Sequence, residues 1–179
     1  MRKLLVLILI FTFFSCVTAS KKNTIENYGT KNNDEKQIIA LVAKFQEGYT
    51  TQNFDKILSV YSSDALIKTI VDNNDWIGKI LPKDEHAKIL EQQMSFYKKR
   101  DITLEIDPPK SINVNGDKGQ MTCTYELFSG NPYKAYVEEG VLEFTFKKEK
   151  SEWLISKRYW EITATNGKHY NEWKKKQKK

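Results

Sequence analysis

The chain holds 179 residues, 40% hydrophobic and 29% charged, with 8 Gly, 4 Pro and a formal charge of +6. That balance fits one ordinary globular domain and excludes a disordered, collagen-like or multidomain chain. Two cysteines cannot build a disulfide scaffold, no Cys/His pairs stand at zinc-ligand spacing, and nothing in the pattern calls for a metal or a cofactor.

Arg2 and Lys3 precede an apolar stretch from Leu4 to Phe14, then Ser15 and Cys16. About a dozen apolar residues are too few to span a bilayer comfortably, and a basic start marks a secretory signal peptide, expected over residues 1–15. The segment Phe13-Phe14-Ser15-Cys16 resembles a bacterial lipoprotein box, in which a small residue precedes the cysteine that is lipidated and becomes N-terminal after cleavage. This implies a protein of the bacterial cell envelope, anchored to the membrane through Cys16. The two phenylalanines depart from the box's usual Leu and small residue, and Val17-Thr18-Ala19 offers a plain secretory cleavage site as the alternative. Residues 16–33, rich in Lys, Asn, Thr and Ser without apolar periodicity, read as a flexible tether behind the lipidated cysteine.

The periodic signal begins at residue 34. Ile38, Ile39, Leu41, Val42, Phe45 and Tyr49 recur at spacings of three and four, predicting an amphipathic helix capped by Asp34. Asn53-Phe54-Asp55 breaks it, and Ile57, Leu58 and Tyr61 predict a second, shorter helix; Ala65 to Val71 reads as strand. Pro82 opens a third helix with Asp84 and Glu85 in its first turn and Lys98, Lys99 and Arg100 in its last, each suited to the helix dipole. Its expected apolar stripe is Ala87, Leu90, Met94 and Tyr97. Beyond Asp101 the period becomes two: Ile102 to Ile106, Ile112 to Val114, Met121 to Leu127, then long strands near 135–147 and 152–164. Pro108-Pro109, Asn115-Gly116-Asp117 and Gly130-Asn131-Pro132 punctuate them. Helices followed by a run of antiparallel strands predict an α+β domain over residues 34–166.

Ala43 to Tyr49, Phe54 to Ala65, Trp76-Ile77-Gly78 and the closing Trp153-Leu154-Ile155 with Tyr159-Trp160 together resemble the nuclear-transport-factor-2-like superfamily, which includes SnoaL-like cyclases and ketosteroid isomerases. The resemblance implies a strongly curved antiparallel sheet wrapped around three helices, a cystatin-like cone whose open end often admits a small apolar molecule. It also implies a homodimer through the sheet face as one arrangement. In the isomerases an aspartate after the first strand moves the proton, with a helix tyrosine and a protonated strand aspartate on the oxyanion. Carried onto this chain, the base position falls on Thr69, the tyrosine position on Phe45 and the strand aspartate near Leu142. None of the three supplies the required group.

Other chemistry rests on single residues. His86 serves as a base only if it turns inward, and the first turn of an exposed helix more often points to solvent; His169 lies in the polar C-terminal segment. Asp72 and Asp75 flank Asn73-Asn74 before Trp76, as turn formers or as acids at the cone mouth. Glu138 and Glu139 are adjacent, so one faces inward, and an inward glutamate paired with Arg158 on the next strand would make a polar spot in the cone. His86, Glu138 and Arg158 are therefore the candidate catalytic residues. Cys123, in an alternating strand, reads as a small buried hydrophobe. Phe45, Tyr49, Tyr61, Trp76, Tyr97, Tyr125, Tyr136 and Trp160 line either a ligand pocket or a packed core.

After Gly167 come six lysines against Glu172, so residues 167–179 carry +5 of the formal +6. Such a tail lies against anionic headgroups or is simply solvated. An exported domain without a basic aromatic motif excludes nucleic acid as a partner. The sequence thus supports a membrane-tethered, non-catalytic module binding a small apolar ligand, with a cavity enzyme (isomerase, dehydratase or cyclase-like) or a protein-docking module as alternatives. An inward His86 or Glu138 with a displaced pKa would favour the enzyme.

Overall fold

The structure, a computed structural model, describes residues 24–71, 79–130 and 135–165, without the side chains of Val71, Ala135, Tyr136, Ala164 and Thr165. The signal peptide, Cys16, the first part of the tether, Asp72, Asp75, Trp76 and the lysine tail with His169 lie outside the described residues.

A 3-10 turn (Ile25–Asn27) leads into helices α1 (Asn33–Thr50) and α2 (Phe54–Ser59), strands β1 (Tyr61–Val71) and β2 (Ile80–Pro82), and helix α3 (Lys83–Arg100). Strands β3 (Ile102–Ile106), β4 (Ile112–Asn115), β5 (Lys118–Ser129), β6 (Ala135–Glu149) and β7 (Glu152–Thr165) follow. Helix α1 buries Ile38, Ile39, Val42, Phe45 and Tyr49, the stripe its spacing predicts. Its cap is Asn32, whose side chain accepts from the Glu35 amide at 2.9 Å. Asp34, the predicted cap, instead accepts from Lys148 Nζ at 2.7 Å and Trp153 Nε1 at 3.0 Å, tying the helix start to the β6–β7 hairpin. These donors hold its carboxyl below the usual carboxylate range. Tyr61 belongs to β1 rather than to the second helix. The folded domain also starts before residue 34, because Ile25, assigned to the tether, is wholly buried against the core.

Six strands run in the order β2, β1, β7, β6, β5, β3, with β4 paired to the start of β5. All pairs are antiparallel except β1 with β7, so the sheet is mixed rather than wholly antiparallel. No hairpin joins these two strands, and nothing therefore forces them to run in opposite directions. Register shifts in the β1–β7, β5–β6 and β6–β7 ladders mark bulges, which bend the strands and curl the sheet around α1 and α3. Gly116 at φ +57 makes the β4–β5 hairpin, a conformation that costs glycine nothing.

The sharpest constraint on curvature is Gly140, next to the β6–β7 bulge, where an added Cβ would run into the Glu161 carbonyl and the Tyr125 ring. Gly140→Ala should lower stability by about 2–4 kcal/mol, read as the midpoint of urea unfolding. At Gly29 nothing lies within 4 Å of an added Cβ, and Gly29→Ala should stay within about 0.5 kcal/mol of wild type.

Candidate functional site

Inward positions on β7 and β1 bring one charge into the cone. Arg158, 2% exposed, stands opposite Phe144 on β6 and Ile67 on β1. Its Nη1 donates to the hydroxyls of Tyr49 (3.0 Å) and Tyr61 (3.1 Å), and its Nη2 to Thr69 Oγ1 (3.3 Å). The guanidinium carbon lies 5.0 Å from the Trp160 ring centre and 5.9 Å from that of Phe45, within cation–π range of both. Among the described residues no carboxylate pairs with Arg158, and its Nε–H has no hydrogen-bond partner.

His86, in the first turn of α3, is 5% exposed and points inward beside Tyr61, ring centres 6.4 Å apart. This corrects the surface reading. The signal was present in the sequence, since His86 precedes Leu90, Met94 and Tyr97 on the stripe that is actually buried, where Ala87 was expected. Burial, and next the Arg158 charge, pushes its pKa down to about 3, so the imidazole is neutral at neutral pH; its Nε2 has no partner among the described residues.

Glu138 faces inward and Glu139 outward. The expected Glu138–Arg158 pair does not form, because the register sets Thr165 against Glu138 and Phe144 against Arg158. Six residues of strand separate the two positions, about 20 Å of backbone. Glu138 Oε1 instead accepts from the Tyr125 hydroxyl at 3.0 Å. Burial raises its pKa to about 7, against the Tyr125 hydroxyl and the nearby Trp160 indole, which favour the charged form. The indole is near enough to act on that charge, yet its Nε1–H makes no hydrogen bond of good geometry among the described residues.

The aromatic candidates pack around these groups, edge to face for Phe45 against Phe144 at 5.5 Å and Trp160 against Tyr125 at 4.7 Å, and tilted for Tyr49 against Phe45 at 4.8 Å and Trp160 at 5.4 Å. Tyr97 closes on Tyr49 at 6.3 Å. Burial raises the pKa of Tyr49, Tyr61, Tyr97 and Tyr125, so all four stay protonated donors. Trp76 and the side chain of Tyr136 lie outside the described residues. Cys123 is buried, its pKa pushed up to about 12, and its thiol reaches only the Leu142 carbonyl at 3.7 Å. Two surface grooves, of about 480 Å³ beside Lys110 and Gln120 and about 590 Å³ along α1, do not reach Arg158.

Solved structures share this architecture. An NTF2-like (nuclear-transport-factor-2-like) protein with a cystatin-like fold from Novosphingobium aromaticivorans superposes with a TM-score of 0.63 at 13% identity, over 73% of this chain and 82% of its own. A domain of unknown function with a cystatin-like fold from Nostoc punctiforme gives 0.62 at 16% identity over 79% and 84%. The fold is the NTF2-like, cystatin-like cone. An NTF2-like protein of unknown function from Pseudomonas putida matches the same cone at 0.62 and 12% identity, over 74% and 89%. No protein-family model and no curated protein matches the sequence, so the cone's chemistry is read from its own residues.

His86 and Glu138 make opposite contributions to pH-dependent stability. A carboxyl raised to about 7 from 4.5 stabilises the fold below 4.5 and loses that contribution as pH rises through 7. An imidazole lowered to about 3 from 6.5 stabilises the fold above 6.5 and loses it as pH falls toward 3. The two slopes cancel between pH 4.5 and 6.5. Relative to wild type, Glu138→Gln should make stability climb with pH across that window and His86→Gln should make it fall, each by at most about 1.4 kcal/mol per unit. Urea midpoints in steps of half a pH unit read both slopes.

Proposed function

We propose that this chain is an exported, lipid-anchored envelope protein whose cone binds a small molecule without transforming it. The signal-like segment and the cysteine after Ser15 support the anchoring. The binding role rests on one observation: Arg158 Nε, His86 Nε2 and Trp160 Nε1 are all buried inside one aromatic shell with no hydrogen-bond partner among the described residues. A core that had only to be packed would replace them with apolar groups, since each unsatisfied polar atom costs about 1–3 kcal/mol. A bound polar group removes that cost.

The residues at the isomerase positions support binding over catalysis. Thr69 accepts from Arg158, Phe45 packs against Tyr49 and Phe144, and Leu142 is buried; none can carry a proton at neutral pH. One observation favours the enzymatic alternative, namely Glu138 with a pKa of about 7 beside the Tyr125 hydroxyl, suited to move a proton near neutral pH. His86, at about 3, is too weak a base.

Native mass spectrometry of the purified full-length protein should show a co-purified small molecule released on denaturation, and the neutral fluorophore N-phenyl-1-naphthylamine should compete for its place. A bare mass together with no fluorophore binding would remove the cone as a ligand site. The mature N-terminal peptide should begin at Cys16 and carry acyl mass, and Cys16→Ser should move the protein out of the membrane fraction. An unmodified start after Ala19 would refute the anchor and leave the cone untouched.

A further inference from the structure

The unpartnered atoms also specify what kind of molecule the cone takes. A guanidinium has five N–H donors, held in a planar fork. Tyr49 and Tyr61 occupy the two hydrogens of Nη1, and Thr69 takes one of the two on Nη2. The Nε–H has no partner among the described residues, and Nη2 keeps one hydrogen beyond the one given to Thr69. They belong to adjacent nitrogens of a buried cation that has no counter-charge among the described residues. Two parallel N–H groups on one side of a guanidinium fit the two oxygens of a carboxylate in bidentate geometry.

The surroundings sharpen the choice. The donors around the cluster are neutral and stay protonated: the tyrosine hydroxyls at Arg158 and the Trp160 indole N–H. The walls are rings, with Trp160 and Phe45 over the guanidinium and Phe144 and Tyr61 against Phe45. A neutral apolar ligand would leave the charge uncompensated, and a hydrated multivalent anion would find a single cation in an aromatic shell. We propose that the cone is a carboxylate-binding site, taking a monocarboxylic acid with an aromatic or aliphatic body, its two oxygens on the Nε and Nη2 donors of Arg158 and its body against Phe45 and Trp160. This rests on the cone being a ligand site.

The test uses the full-length protein with benzoate, hexanoate and decanoate, each beside its neutral amide, and with N-phenyl-1-naphthylamine as a charge-free cone probe. Calorimetric titration should give at least one acid binding tenfold or more tighter than its amide. Intermolecular nuclear Overhauser effects should link that acid to the Trp160 indole N–H. Arg158→Gln should abolish the preference for acid over amide. If that variant does not fold, judged by circular dichroism, the Overhauser contacts and the acid-to-amide ratio in wild type still decide. Equal affinity of acids and amides, or acids contacting only the surface groove beside Lys110, would overturn the carboxylate assignment while the cone probe still binds. Failure of every acid, every amide and the cone probe would overturn the assignment and the cone reading together.

Discussion

A positive charge buried with no counter-charge among the described residues is the constraint around which the concave side is arranged. Moving a guanidinium out of water costs several kcal/mol even after relaxation, and in this fold three hydroxyls and two ring faces offset part of that. The partners come from three elements: Phe45 and Tyr49 from α1, Tyr61 and Thr69 from β1, and Trp160 from β7 itself. Arg158 therefore fastens the first helix to the seam where β1 and β7 run in parallel, a pair that no hairpin holds in register. The same charge shapes its neighbours. It adds to burial in keeping His86 neutral, and it eases the desolvation that raises the tyrosine pKa values without reversing it.

Much of the fold was legible because its elements follow their own periods. Helix α1 and strands β3 to β7 fall where three-four and alternating spacings place them, since each presents one apolar face to a shared core. What escaped depended on the rest of the molecule. Strand β2 has three residues and exists only as an edge partner of β1. Ile25 carries no local signal and is buried by its contact with the core. The β6–β7 hairpin turns on Lys150 and Ser151 at φ 49 and 72, which the sequence marks with neither Gly nor Asn; the long ladder on either side imposes that conformation. The capping error at α1 has a similar cause. Asn32 and Asp34 are both competent caps, and the hairpin's Lys148 and Trp153 draw Asp34 away.

The site was legible as a set of residues and not as a set of partners. Phe45, Tyr49, Tyr61, Tyr125 and Trp160 do converge, because inward positions on a curled sheet must converge. Pairing Glu138 with Arg158 required the strand register, and register follows from bulges that no residue type announces: shifts at Glu139/Gly140 and Thr145/Phe146 set which residues meet across the β6–β7 ladder. His86 was misjudged because its polarity was weighed above its spacing, although four residues before Leu90 is a buried position on this helix.

The arrangement also keeps the buried guanidinium apart from the group best suited to move a proton. A general base must be able to accept a proton as its neighbours change charge, and a fixed guanidinium opposes any new positive charge near it. His86 lies close enough to Arg158 to be weakened as a base on that account, beyond what burial alone does. Glu138 escapes because the strand register sets it apart from Arg158, with Tyr125 and the Trp160 indole as its neighbours. Its carboxyl is raised by burial and is not drawn into an ion pair among the described residues, so it retains a proton affinity near neutrality. A carboxylate seated on Arg158 would add a negative charge to the interior and raise that affinity further, coupling occupancy of the cone to protonation of Glu138.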